Sequence, residues 1–280
     1  MDYLGTQGYA SKAITLAILH QKLLNMQILK TVFFIFIGAI HFVINGQSIN
    51  HKKVLIVVSS YGKGDIRPGF EMDEITQAYL IFKDNGIKVE IASPKGGKVT
   101  SDRYSTKKAY NEQFLSDKEA VDLLDNTLST AKALEKNDYD VIYIAGGKGA
   151  MFDLPYDPSL QDLILSMYTK QNLISAVCHG SAALLHIKTD DTTYLVKDKM
   201  ITGLCNEEET KFGKKWIKEF PYLLETKMVE RGAKYRREDI MLPFVVKDGN
   251  LVTGQNPFST TQLAEEIVKS LGITPKQRTL

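Results

Sequence analysis

From residue 53 onward the chain alternates short β-branched apolar runs with longer stretches whose apolar residues recur every three or four positions. The run at 54–60, VLIVVSS, is apolar at successive positions, the pattern of a central parallel strand covered on both faces. Residues 71–86 carry Ile75, Ala78, Tyr79 and Phe82 at i, i+3, i+4 and i+7 and stop at Asn85-Gly86, which predicts an amphipathic helix closed by a glycine. Further strands are predicted at 87–94, 139–147 and 200–205, and helices at 159–172 and 259–271. The segment 173–187 reads as a strand, a sharp turn and a helix, 211–230 as helical or irregular, and two strands flank the turn signal Asp248-Gly249.

The polar region at 95–137, with a helical stretch at 117–136, reads as an insertion on the surface of a sheet. Strands alternating with helices imply right-handed βαβ units and a doubly wound α/β fold, its mostly parallel sheet sandwiched by helices. One domain spanning 52–273 accounts for the pattern.

The first 50 residues follow a different rule. From Met26 a short basic segment ending at Lys30 leads into an apolar run at 31–40 and then a more polar stretch, the layout of a secretory signal peptide at 26–47 with cleavage near Gly46. An N-terminal membrane anchor is the competing reading, although the run is short for a span. Met26 is the expected start, with 1–25 an extension. Export to the periplasm or a membrane surface is the expectation, and a cytoplasmic location the alternative.

Composition narrows the chemistry. A net charge of +2 without dense Lys/Arg blocks gives no electrostatic footprint for nucleic acid. Two cysteines, Cys178 and Cys205, and five scattered histidines build neither a disulfide framework nor a metal site, so no metal is expected.

Ligands of open α/β sheets bind where strands end and helices begin. Ser175-Ala-Val-Cys-His-Gly-Ser is such a place, with small residues around Cys178 as a nucleophile elbow requires. A position at a helix N-terminus predicts a lowered thiol pKa. His179 follows directly as a candidate general base, and Gly146-Gly147 ends the preceding core strand, so the N–H groups of Gly147 and His179 are a candidate oxyanion hole.

AVCHG at 176–180, AGGKGAMFDLP at 145–155, ITGLCNEEE at 201–209 and LVTGQNPFST at 251–260 together resemble the ThiJ/PfpI superfamily, which has the flavodoxin-like, class I glutamine amidotransferase-like fold. The resemblance runs from about Lys53 to Gly272 and is nearest the heat-shock chaperone and glutathione-independent glyoxalase III branch. It implies two further site residues. A glutamate on the first helix that bonds the nucleophile falls on Glu74, where periodicity alone prefers Glu71. An acid that orients the histidine falls on Glu209, with Glu207 and Glu208 as neighbours in the same run. The catalytic set implied is Cys178, His179, Glu209 and Glu74.

The implied function is conversion of methylglyoxal or a similar 2-oxoaldehyde to the 2-hydroxy acid without glutathione, through the Cys178 sulfur and with no metal or organic cofactor. A holdase chaperone or oxidation-sensing stress protein is one alternative, and a cysteine peptidase or amidase another. The expected partners are a small 2-oxoaldehyde, unfolded protein clients and a second copy in a homodimer.

Overall fold

A computed structural model describes residues 52–276 and 278, together with residues 21, 22, 26 and 27. The chain divides into two units, Met1–Asn50 and His51–Leu280. The expected extension and signal peptide lie outside the described residues apart from those four, which are helical and exposed. No helix among the described residues is long and apolar enough to cross a membrane.

In the second unit the apolar run forms β1 (Lys53–Val57), whose side chains are buried on both faces. It pairs in parallel with β2 (Lys88–Ser93) on one side and β4 (Val141–Ile144) on the other. β5 (Leu173–Val177) continues beyond β4, then β9 (Leu251–Gly254), and β8 (Val245–Asp248) closes that edge antiparallel. A two-residue strand, β3 (Leu128–Ser129), forms the opposite edge, giving the order β3-β2-β1-β4-β5-β9-β8.

Successive strand residues point to opposite faces, so the sheet separates two cores. Val54, Ile56, Val141, Tyr143 and Val252 pack with Ile75, Ala78, Tyr79 and Phe82 of α1 (Met72–Asp84) and with Leu263, Ile267 and Val268 of the C-terminal helix (Thr260–Ser270). Leu55, Val57, Ile142, Ile144 and Ile174 face the other way, onto Leu160, Leu163, Ile164 and Met167 of the helix Pro158–Thr169. Each of these large apolar side chains is fully buried, worth roughly 1.5–3 kcal/mol. The predicted stop of α1 is met by a left-handed Gly86, with the Ile87 N–H closing on Phe82 O at 3.0 Å.

Three expectations change. The insertion at 95–137 is not only surface: besides the helices α2 (Ala109–Ser116), α3 (Lys118–Asp125) and α4 (Thr130–Lys136) it supplies the edge strand β3. The strand predicted at 200–205 shrinks to β6 (Met200–Ile201), which leaves the main sheet and pairs with β7 (Lys234–Tyr235). Its continuation is diverted because the Thr202 N–H bonds the Thr253 hydroxyl of β9 instead of a strand backbone. The helix expected after the β5 turn is a 3-10 helix, Cys178–Leu184.

The strand order reverses between β1 and β4, so their crossovers diverge and leave a crevice at their carboxyl ends. The loops after β1, β4, β5 and β9 meet there.

Candidate active site

β5 ends at Val177, and Cys178 turns the chain with φ of +55°. A residue with a Cβ in that left-handed region costs about 1–3 kcal/mol, which the surrounding packing must hold in place. The packing here is close: a Cβ on Gly180 would stand 2.3 Å from the Ile144 carbonyl oxygen, so only glycine lets the turn lie against the end of β4. The Cys178 side chain is nearly buried and lines a cavity of about 260 Å³.

His179 lies beside it. Its Nδ1 is 3.7 Å from Cys178 Sγ, and its Nε2 is 2.6 Å from Glu209 Oε2, with both partners of that pair buried. A carboxylate on Nε2 places the proton there and leaves Nδ1 with its lone pair toward the sulfur. The ring is braced by Phe220, whose centroid is 5.4 Å away.

The three consecutive acids have three fates, because they open the helix α5 (Asn206–Phe212) and so point in different directions. Glu207 is exposed and pairs with Arg237 at 3.0 Å. Glu208 is buried and accepts from the Met241 N–H, Asn256 Nδ2, Gln255 Nε2 and, at 3.4 Å, the Cys205 N–H. Glu209 alone reaches the histidine.

Glu74 lies on the buried side of α1. Its Oε2 accepts from the Gly146 N–H at 2.6 Å, while Oε1 is buried and unpartnered. Burial first, then the charge of Glu71, pushes its pKa well above the usual carboxylate range, against the Gly146 N–H and the Cys178 thiol, which draw it down. Burial, then the Glu74 charge, pushes the Cys178 thiol up as well, opposed by the N–H groups of His179 and Gly147. The expectation of a lowered thiol pKa therefore fails in this resting arrangement: desolvation outweighs the N–H groups of His179 and Gly147 at the start of the 3-10 helix. Since the Glu74 charge raises the Cys178 thiol, a protonated Glu74 favours the thiolate.

Glu71 is the residue before α1 and makes no side-chain capping bond there. It lines the same cavity, and burial, followed by the charges of Asp73 and Asp102, raises its pKa to about 7. Gly147 has φ of +88°, and a Cβ on it would stand 2.3 Å from the Glu71 nitrogen. The turn after β4 is thereby pressed between Glu71 and Cys178.

The structure thus brings together Cys178, His179, Glu209, Glu74, Gly147 and Glu71. Sequence reasoning missed Lys148, Phe212, Met241, Asn256 and Phe258, which line the same cavity. Asn256 to Phe258 directly follow β9, so the rule that loops at strand ends carry the site already pointed to them. Met241 had no such signal. Among the described residues, no three His, Cys, Asp or Glu side chains are grouped to hold a metal.

A family model described as the DJ-1/PfpI family matches residues 65–270. The chain is 31% identical over 231 residues to Glyoxalase 3 of Candida albicans, covering 77% of this chain and 97% of that protein. It is 30% identical to Glutathione-independent glyoxalase hsp3101 of Schizosaccharomyces pombe, covering 78% and 95%. Among solved structures, Rapid Encystment Protein 24 KDa of Francisella tularensis superposes with a TM-score of 0.73 at 33% identity, covering 79% of this chain and 99% of that one. Glyoxalase III of Candida albicans gives a TM-score of 0.70 at 28% identity, covering 78% and 97%.

Proposed function

Because this chain belongs to the DJ-1/PfpI family, we propose that it converts a 2-oxoaldehyde such as methylglyoxal to the 2-hydroxy acid, without glutathione, through Cys178. The observation that carries the proposal is the buried array in which Cys178 Sγ faces His179 Nδ1 while Glu209 holds the other ring nitrogen. Relatives named as glutathione-independent glyoxalases support the reaction class.

His179 Nδ1 accepts the thiol proton, and Glu209 stabilises the imidazolium that forms. Glu74 stays protonated, so it contributes no charge to oppose the thiolate and can donate to it. The sulfur attacks the aldehyde carbon; a C–S bond forms and the carbonyl π pair becomes an alkoxide, which the N–H groups of Gly147 and His179 receive. A base then removes the proton on that carbon and an enediolate results. Reprotonation at the adjacent carbon leaves a 2-hydroxy thioester. Water cleaves it, releasing the 2-hydroxy acid and regenerating the thiol. One carbon is oxidised and its neighbour reduced, so no external oxidant or reductant enters.

Purified protein incubated with methylglyoxal and followed by NMR should yield lactate. Cys178→Ala and Glu74→Gln should each abolish turnover while remaining folded by circular dichroism. Full activity in either variant would overturn the proposed chemistry.

A further inference from the structure

The wall of the Cys178 cavity carries more apolar surface than a methyl-bearing substrate needs. Phe212, Met241 and Phe258 line the cavity, yet each is 40% or more exposed, and Leu242 beside them is equally open. Large apolar side chains left facing solvent around a catalytic cleft mark a surface awaiting an apolar ligand.

Met241 is held there against its own backbone preference. Among the described non-glycine residues with positive φ, Asn137, Gln171 and Asp198 are polar turn formers, while Cys178 and Met241 both line this cavity. Met241 has φ of +65°, and its N–H is anchored at 3.0 Å on the buried Glu208 carboxylate. The same carboxylate accepts from Asn256 Nδ2, which also donates to the Leu242 carbonyl. Gln255 completes the clamp, accepting from the Glu238 N–H at 2.8 Å. A buried polar network of this kind fixes a conformation rather than contributing bulk stability, and here it fixes an apolar edge beside the nucleophile.

The charges decide what the edge accepts. Glu71, Glu208 and Glu209 line the cavity against one cation, Lys148, so a second anionic group on the substrate is disfavoured. The space of about 260 Å³ exceeds what a three-carbon molecule fills, given roughly 30 Å³ per water in the liquid.

We propose that Phe212, Met241 and Phe258 form a specificity pocket for the uncharged apolar substituent of the substrate, so that aryl- or branched-alkyl-bearing 2-oxoaldehydes are preferred over methylglyoxal. This rests on the glyoxalase reading of the same site.

The test compares kcat/KM for phenylglyoxal and methylglyoxal, with mandelate and lactate quantified as products. A ring in place of a methyl in an apolar pocket should favour phenylglyoxal by about tenfold or more, since a single methylene already discriminates that far. In Phe258→Ser and Met241→Ser the ratio should fall toward one. Val229→Ser, an exposed apolar position that does not line the cavity, should leave the ratio unchanged. A wild-type ratio near one, or a ratio indifferent to both cavity variants, overturns the specificity pocket and leaves the glyoxalase reading standing. No 2-hydroxy acid from either compound overturns that reading, and the pocket with it.

Discussion

Glu71→Gln tests the electrostatics of the cleft most directly. In the folded protein burial raises the Glu71 pKa from 4.5 to about 7. At 1.36 kcal/mol per factor of ten in acidity, that shift is worth about 3 kcal/mol. A carboxyl whose pKa rises on folding binds its proton more tightly in the native state, so stability falls as pH rises through this window. The contribution is fully present below pH 4.5 and lost once the pH exceeds about 7. Glutamine is neutral throughout and loses nothing. Urea denaturation of both proteins at pH 4.5 and pH 8.5 should therefore show the variant gaining on the wild type by up to about 3 kcal/mol between the two conditions. For a domain of this size the gain is roughly 6–12 °C in Tm. Every other titrating group is present in both proteins, so the difference reports Glu71 together with its charge's effect on Glu74 and Cys178. A stability difference identical at both pH values, or one that favours the wild type more at pH 8.5, would refute the reasoning.

Other outcomes follow from the same structure. Glu209→Gln should cut kcat by about 100-fold or more with KM changed far less, because the loss falls on the imidazolium and not on substrate binding; steady-state kinetics with methylglyoxal would show it, and an unaltered kcat would remove Glu209 from the array. Gly147→Ala should destabilise the fold by several kcal/mol, since its Cβ would stand 2.3 Å from the Glu71 nitrogen at a φ of +88°, and thermal melting should register the loss. Met167→Ala should cost about 2–5 kcal/mol as a cavity in the core, measured by denaturant midpoint, whereas the exposed Val229→Ser should stay within about 0.5 kcal/mol. Met241→Gly should raise stability by about 1 kcal/mol by releasing a left-handed backbone while deleting the apolar side chain.

Much of the architecture was legible along the chain. β1 is buried from Val54 to Val57 because consecutive apolar residues have no polar face to show water, and α1 docks through the stripe from Ile75 to Phe82 because that face is apolar. The elbow at Cys178 was readable from small neighbours that a tight turn demands. What failed were places where a local pattern meets a non-local competitor. The run at 200–205 has a strand's composition, yet a hydroxyl 51 residues away takes its Thr202 N–H and ends the strand. The edge strand β3 is two residues long and has no period to read.

The site divides along the same line. The sequence by itself determined that Cys178 sits at a strand-to-helix turn in a doubly wound sheet, because turn geometry and hydrophobic period depend on near neighbours. Periodicity preferred Glu71, so Glu74 came from the family resemblance, and adjacency did not choose among Glu207, Glu208 and Glu209. Burial chose: Glu74 points inward to the Gly146 N–H, and Glu209 alone meets His179. The thiol pKa went the same way, since a short sequence can announce a helix end but not how much water the fold removes. Desolvation and the meeting of side chains from distant strands are properties of the packed whole, and only the tertiary structure decided them.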